Sequence, residues 1–183
     1  METMKGELKP PKGKKCLLLA DGEGRNGVYM AELGYDVVSV DYSPVGLAKA
    51  QKLAAQKKVQ ITTIEANLND FDLGSGEWDC IVGIFCHLPP HIRSKVLAAI
   101  PTSLRDGGMV IFECYTPDQL EKKTGGPPSS EPMYSKAIFA EAFDACAGLT
   151  IERNEELIRI VQEGEYHNGE SAVVQFIARK VES

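Results

Sequence analysis

Two carboxylates lie inside a glycine-rich turn near the start of the sequence. The turn follows the apolar run Leu17-Leu18-Leu19-Ala20 and reads Asp21-Gly22-Glu23-Gly24-Arg25-Asn26-Gly27. Because an amphipathic segment comes next, the pattern predicts a buried strand, a tight loop and a helix N-terminus, the beginning of a βαβ unit. Such a loop directs free backbone N–H groups towards a ligand above the carboxyl end of the strand.

The charges of this turn indicate what kind of ligand it would accept. Its spacing, Gly22-x-Gly24-x-x-Gly27, matches the dinucleotide fingerprint, and Asp41 stands near the place expected for a ribose-binding acid. A diphosphate would face Asp21 and Glu23, at a cost of about 3 kcal/mol per pair at roughly 5 Å and an effective dielectric near 20. A phosphate-free nucleoside that carries an ammonium and a sulfonium group would instead be stabilised. The turn therefore favours S-adenosylmethionine.

The elements that must position these side chains alternate between strands and helices over most of the chain. Apolar strand-like runs are predicted at 16–20, 36–41, 59–65, 78–85 and 109–115, with amphipathic helices between most of them and a further helix at 135–143. Two last runs, 149–161 and 171–179, have no helix between them. They must therefore pair antiparallel, through a turn that contains Asn168-Gly169. We expect a flexible lead-in at 1–14 and a single domain at 15–183.

Composition limits the classes of partner and compartment. The chain of 183 residues carries a net charge of −6, which argues against nucleic acid as its main partner because phosphate binding needs a basic face. Its 5 cysteines show no metal-ligand spacing, so no metal site is predicted, and their scatter favours a reducing compartment. No apolar run approaches the length of a membrane span, so we expect a cytoplasmic protein. The oligomeric state is not legible from the sequence.

Four motifs carry a resemblance to a known family. Ala20-Asp21-Gly22-Glu23-Gly24-Arg25-Asn26, Val40-Asp41-Tyr42-Ser43, Asn67-Leu68 and Arg105-Asp106-Gly107-Gly108 resemble those of class I S-adenosylmethionine-dependent methyltransferases. Within that class the chain looks most similar to the tellurite-resistance and ubiquinone-biosynthesis-like small-molecule methyltransferases. The resemblance covers residues 15–180. It implies an α/β, Rossmann-like three-layer sandwich whose seven-stranded, mostly parallel sheet has the order 3-2-1-4-5-7-6 and an antiparallel last strand.

The resemblance also implies how the matching residues would hold S-adenosylmethionine. Asp21 would lie beside the ammonium of the cofactor, Asp41 would accept both ribose hydroxyls, and Tyr42 would lie against the adenine. Plain alternatives exist, because Glu23 also fits a solvated loop charge and Asn67 a simple turn residue. The full set of implied cofactor-binding residues is Ala20, Asp21, Gly22, Glu23, Gly24, Asp41, Tyr42, Asn67, Leu68, Phe85 and Cys86.

The expected reaction is methyl transfer to a small-molecule acceptor whose identity the sequence does not disclose. Candidate catalytic residues are His87 after the fourth strand, Tyr115 at the end of the fifth and His167 in the terminal hairpin. A thiolate or chalcogen oxyanion would need no general base, whereas a hydroxyl or amine would need one, from His87, His167 or Glu113. Two other hypotheses stay open: a nicotinamide-dependent oxidoreductase, and a catalytically silent protein that binds S-adenosylmethionine.

Overall fold

The computed structural model describes residues 13–144, 146, 148–162 and 168–181. These residues form strands and helices in almost strict alternation until the last two strands. The strands are β1 Lys15–Leu19, β2 Asp36–Asp41, β3 Thr62–Glu65, β4 Trp78–Ile84, β5 Leu104–Tyr115, β6 Leu149–Gln162 and β7 Asn168–Lys180. The helices are α1 Arg25–Glu32, α2 Pro44–Lys57, α3 Pro90–Ser103, α4 Gln119–Lys122 and α5 Lys136–Phe143.

All seven strands join one sheet in the order β3-β2-β1-β4-β5-β7-β6. The first five pair in parallel, whereas β7 runs antiparallel to both β5 and β6. The predicted fold class and strand order are therefore confirmed. The chain builds outwards from β1 to β3 and then returns to place β4 on the other side of β1. This reversal puts the topological switch point, where ligands of such folds bind, between β1 and β4.

The core covers both faces of the sheet, because successive residues of a strand point to opposite faces and both faces carry helices. One apolar cluster packs towards α1 and α2, and the other packs towards α3 and α5. The first cluster includes Leu18, Val82 and Ile111, and the second includes Leu17, Ile81 and Phe112. Among the described residues, no helix is long and apolar enough to cross a membrane.

The prediction that Asn168-Gly169 forms the turn of the last hairpin is wrong. Asn168 pairs with Gln162 and Gly169 pairs with Val161, so both residues belong to β7. An Asn-Gly pair specifies a two-residue turn only where both flanking strands end beside it. Here the paired strands stop at Gln162 and Asn168, so the connection is longer than the two-residue turn that this sequence signal favours.

Candidate active site

The loop between β1 and α1 folds back over the end of the sheet because three of its residues adopt left-handed backbone. Ala20, Gly22 and Gly24 have φ angles of +50°, +57° and +82°. Gly24 also packs directly on α2, where a Cβ atom at this position would lie 2.4 Å from the Cβ of Ala50. The helix packing therefore leaves room for glycine alone at position 24.

The carboxylate of Asp21 turns towards the beginning of α1. It accepts hydrogen bonds from the backbone N–H of Gly27 at 3.2 Å and from the Ser39 hydroxyl at 2.5 Å. Burial raises the pKa of Asp21 to about 6, although both of these hydrogen bonds act to lower it. Asp21 thus satisfies a free donor in the first turn of α1, and its predicted contact with a cofactor ammonium stays a prediction.

We expect Asp21 to make the stability of the protein pH-dependent. Since its folded pKa of about 6 exceeds the unfolded value of 3.8, its contribution is fully present below the unfolded value and is lost as the pH rises through about 6. At about 1.4 kcal/mol per unit, the loss is on the order of 3 kcal/mol. Urea unfolding of the wild type and of Asp21→Asn between about pH 4 and pH 7 measures it. Parallel curves for the two proteins would show that Asp21 ionises normally.

Glu23 points away from the sheet and pairs with α2. Its carboxylate lies 2.5 Å from Nζ of Lys49, and both side chains are more than half exposed, at 62% and 55%. The pair joins the loop to α2 at the surface. The predicted contact of Glu23 with the cofactor stays a prediction. An exposed ion pair of this kind is worth little to stability.

Glu23→Gln is therefore expected to change little. The free energy of unfolding should fall by less than about 1 kcal/mol, because exposed pairs of this kind rarely contribute more. The affinity for S-adenosylhomocysteine, the demethylated product of the cofactor, should change by less than about threefold by titration calorimetry. A tenfold loss of affinity would instead place this carboxylate in contact with the ligand.

Asp41 ends β2 and connects the loop to the next helix. One of its carboxylate oxygens accepts the backbone N–H of Gly22 and the other accepts that of Ser43, both at 2.8 Å. The side chain is buried, at 7% exposure. Each carboxylate oxygen retains a further lone pair, so Asp41 can accept two more donors, as a ribose diol would require.

A cavity of about 380 Å³ opens beside Asp41 at the carboxyl ends of four adjacent strands. This volume lies in the range of small-molecule sites, roughly 300–1,000 Å³. Most of the lining side chains are apolar. The lining residues are Ala20, Asp41, Tyr42, Ala66, Asn67, Leu68, Phe85, His87, Leu88, Pro89 and Ile92.

Backbone strain marks the two strand ends at the switch point. Phe85 follows β4 with a φ of +53°, and Ala20 follows the neighbouring strand β1 with a φ of +50°. A non-glycine residue in this region costs about 1–3 kcal/mol and persists where its surroundings hold it, often at functional sites. The backbone N–H of Phe85 is held by the carbonyl of Glu113 at 2.7 Å. Both strained residues line the cavity.

Stacked aromatic rings form the wall of the site at the ends of β4 and β5. The rings of Phe85 and Tyr115 lie 4.6 Å apart, and those of His87 and Tyr115 lie 5.5 Å apart and nearly parallel. Tyr134 meets His87 edge-on at 6.3 Å. Tyr115 is fully buried. This predicted catalytic residue therefore lies behind the cavity wall and supports the rings of Phe85 and His87.

Cys86 is fully buried next to these rings. Burial first, and then the charge of Asp41, raise the pKa of its thiol to about 12. The thiol therefore stays protonated at neutral pH and has no nucleophilic character.

The third predicted catalytic residue, His167, lies outside the residues that the structure describes.

The structure brings together many, though not all, of the predicted site residues. Seven of them line the cavity: Ala20, Asp41, Tyr42, Asn67, Leu68, Phe85 and His87. Asp21, Gly22, Glu23, Gly24 and Cys86 are not among its lining residues. Four apolar lining residues were missed, namely Ala66, Leu88, Pro89 and Ile92. For Ala66, Leu88 and Pro89 the available signal was their position just after the predicted third and fourth strands, whereas Ile92 lies in the helix that follows. Apolar side chains at all four positions also fit a plain packing role.

A larger groove of about 840 Å³ runs along α2 at the amino ends of the strands, opposite the end that carries the cavity. It is lined by residues at the beginning of strands, such as Lys15, Asp36 and Thr62. Parallel sheets of this kind bind ligands at the carboxyl ends of their strands. None of the predicted site residues lines the groove, so size alone does not make it the candidate site.

The fold and the cavity together define a doubly wound α/β protein with a pocket at its switch point. A family model described as a methyltransferase domain matches residues 17–108, which is half of the chain. The chain therefore belongs to the methyltransferase-domain family, whose members use S-adenosylmethionine. This finding confirms the predicted family and cofactor class.

Individual relatives agree with this assignment. The chain is 31% identical over 118 residues to a glycine/sarcosine N-methyltransferase of Parasynechococcus marenigrum, an alignment that covers 62% of this chain and 42% of the relative. It spans less than half the length of the curated relatives it matches. Its fold resembles TehB of Haemophilus influenzae, with a TM-score of 0.77, 19% identity and coverage of 98% of this chain and 62% of that one. A Methanosarcina mazei methyltransferase matches with a TM-score of 0.70 and 14% identity, over 96% of both chains.

Proposed function

We propose that this protein transfers a methyl group from S-adenosylmethionine to a small-molecule acceptor. The observation that carries the proposal is the hydrogen bond of 2.8 Å between the backbone N–H of Gly22 and Asp41. A diphosphate would need that N–H group as a donor and would meet the Asp41 carboxylate instead. A ribose diol needs the acceptor that Asp41 supplies. The loop therefore favours a nucleoside without phosphate over a dinucleotide.

The described residues fit such a ligand. The remaining lone pairs of Asp41 suit two ribose hydroxyls, and Leu68 and Ile92 offer apolar surface for an adenine ring in the same cavity. A Cβ at Gly22 would meet nothing within 4 Å, so the space above the loop is open. When bound, the cofactor supplies an activated methyl group on a sulfonium centre.

The protein's own contribution would be alignment and exclusion of water. Asp41 would fix the nucleoside at one end of the cavity, and the strained backbone at Ala20 and Phe85 would hold the wall close to it. The rings of Phe85 and His87, supported from behind by Tyr115, would set the direction of the acceptor. A small acceptor is supported by the limited cavity of about 380 Å³ and by the name of the glycine/sarcosine relative.

Two measurements test the proposal. Titration calorimetry should detect S-adenosylhomocysteine binding and no comparable heat with NADH. Transfer from tritiated methyl-S-adenosylmethionine should then be screened over thiols, phenols, amines and metalloid oxyanions. Tight NADH binding without a response to S-adenosylhomocysteine would favour the oxidoreductase hypothesis. Binding of S-adenosylhomocysteine without turnover over the whole screen would favour a silent binding protein.

A further inference from the structure

The direction of one hydrogen bond determines the protonation state of His87. The backbone N–H of Tyr115 can only donate, and it lies 2.9 Å from Nε2 of His87. Nε2 must therefore present its lone pair, which leaves the ring proton of a neutral imidazole on Nδ1. While this bond is made, the basic nitrogen of His87 is occupied and cannot take a proton from an acceptor.

The same bond fixes the wall of aromatic rings. It joins His87, three positions beyond β4, to the last residue of β5, and the rings of His87 and Tyr115 stack with an angle of 6° between their planes. Tyr115 in turn stacks on Phe85, which lines the cavity. A loss of the His87 acceptor would thus leave the buried backbone N–H of Tyr115 unpaired. The stacked rings that form the wall would then no longer be held in place.

Glu113, the other base candidate among the described residues, is also committed. Its side chain is 1% exposed, one carboxylate oxygen contacts the guanidinium of Arg159, and the other accepts Nε2 of Gln175 at 2.5 Å. Both oxygens are held by donors inside the sheet. Glu113 does not line the cavity, and a proton taken up there would leave the charge of Arg159 without its counter-ion, which is costly in a low dielectric.

A positive charge lies on the same side of the site. The guanidinium of Arg93 donates to the carbonyls of Met133 and Glu131 and lies 5.2 Å from the centre of the Tyr134 ring, which contacts His87 edge-on. Among the described residues, no carboxylate forms an ion pair with Arg93. Carbonyl contacts leave its charge in place behind the ring of Tyr134, where Arg93 lines a neighbouring cavity together with Glu141.

We infer that His87 is a positioning residue and that the methyl acceptor reaches the site with its nucleophilic atom already deprotonated, as a thiolate does. This inference rests on the proposed methyl transfer. The lone pair of the anion forms the new bond to the methyl carbon while the carbon–sulfur bond breaks and its electron pair returns to sulfur. An anion and a sulfonium cation give two neutral groups, so no proton has to leave.

Few neighbours of His87 can complicate its pH dependence. The titratable or charged groups placed around it are the phenols of Tyr115 and Tyr134, whose rings it contacts, Arg93 against the ring of Tyr134, the adjacent Cys86 thiol, and Asp41 in the lining of the same cavity. Burial raises the pKa of Cys86 to about 12 and holds that of Tyr134 well above its usual range. Asp21, with a pKa of about 6, titrates in every variant alike.

A matched pair of variants separates the two properties of His87. His87→Gln keeps an acceptor for the Tyr115 N–H and loses the aromatic ring, whereas His87→Phe keeps the ring and loses the acceptor. Both are assayed at saturating S-adenosylmethionine with benzenethiol and phenol, which share a ring but differ in ionisation at neutral pH. 2-Mercaptoethanol and hydrogen sulfide extend the thiol panel, and His167→Gln is assayed beside them.

We expect thiols to be methylated at least 100-fold faster than phenol. The kcat/KM for benzenethiol should follow the ionisation of the thiol itself, with the same profile in all four proteins. His87→Gln should retain at least a fifth of wild-type kcat/KM, and His87→Phe should lose 10- to 100-fold with S-adenosylhomocysteine affinity unchanged within threefold.

Three results would overturn the inference. The first is a change of the pH profile in a His87 variant or in His167→Gln, which would identify a base. The second is methylation of phenol as fast as benzenethiol. The third is no methylation of any thiol while S-adenosylhomocysteine binds, which leaves the cofactor proposal intact. Absence of S-adenosylhomocysteine binding to the wild type would instead remove the proposed function itself.

Discussion

Asp41→Ala is expected to lower the affinity for S-adenosylhomocysteine by at least 100-fold. The carboxylate is buried and already receives the N–H groups of Gly22 and Ser43 at 2.8 Å. Its removal would delete the proposed ribose acceptor and also release the two backbone segments that shape the cavity. Hydrogen bonds to a charged group contribute about 1.5–3 kcal/mol each. Losing the two proposed bonds from the ribose hydroxyls therefore corresponds to roughly 3–6 kcal/mol in binding free energy.

Titration calorimetry with S-adenosylhomocysteine measures this loss, and thermal unfolding without ligand separates it from damage to the fold. Asp36→Ala is the matched control, because Asp36 is an exposed aspartate at the other end of the same strand. It should bind the ligand with wild-type affinity. Equal affinity of Asp41→Ala and the wild type would refute the ribose role of Asp41.

Gly24→Ala should be the most destabilising single change in the loop. A methyl group at this position would lie 2.4 Å from the Cβ of Ala50 and 2.8 Å from its Cα, which belongs to the backbone of α2. The φ of +82° adds a steric cost of about 1–2 kcal/mol, and overpacking adds about 1–3 kcal/mol. We therefore expect a loss of about 2–5 kcal/mol in the free energy of unfolding, measured by urea titration.

Gly22→Ala provides the comparison for this prediction. Gly22 has a similar backbone, with a φ of +57°, but a Cβ there would meet nothing within 4 Å. Its loss of stability should be limited to the backbone cost of about 1–2 kcal/mol. The new methyl group would project into the space proposed for the nucleoside, so ligand affinity should fall more than stability does. Equal destabilisation by the two substitutions would contradict the close contact with α2.

Much of the fold could be predicted because local and global signals agree. The run from Trp78 is apolar except for Asp79, as suits a central strand with helices on both faces, and β2 has the predicted bounds of Asp36 and Asp41. The beginning of β5 was placed too late, since Leu104 pairs with Trp78 while Met109 pairs with Cys80. The register shifts between these two pairs, and the turn residues Asp106-Gly107-Gly108 lie inside the strand. Glycine-rich stretches within a strand commonly mark such irregularities.

The orientation of the loop carboxylates could not be predicted from spacing. Which way Asp21 points depends on the left-handed backbone of Ala20, a conformation that alanine rarely adopts and that no propensity indicates. The partner of Glu23 is Lys49, which the fold alone brings near. His87 illustrates the same limit, because its hydrogen bond to Tyr115 joins residues 28 positions apart through the pairing of β4 and β5.

The third glycine of the fingerprint serves a purpose of its own in this chain. A Cβ at Gly27 would lie 2.4 Å from an oxygen of Asp21, so this glycine makes room for a carboxylate of its own loop. Over evolutionary time the two positions should change together. A descendant that exchanged Asp21 for a smaller neutral residue would be free to replace Gly27, and one that kept the acid would not.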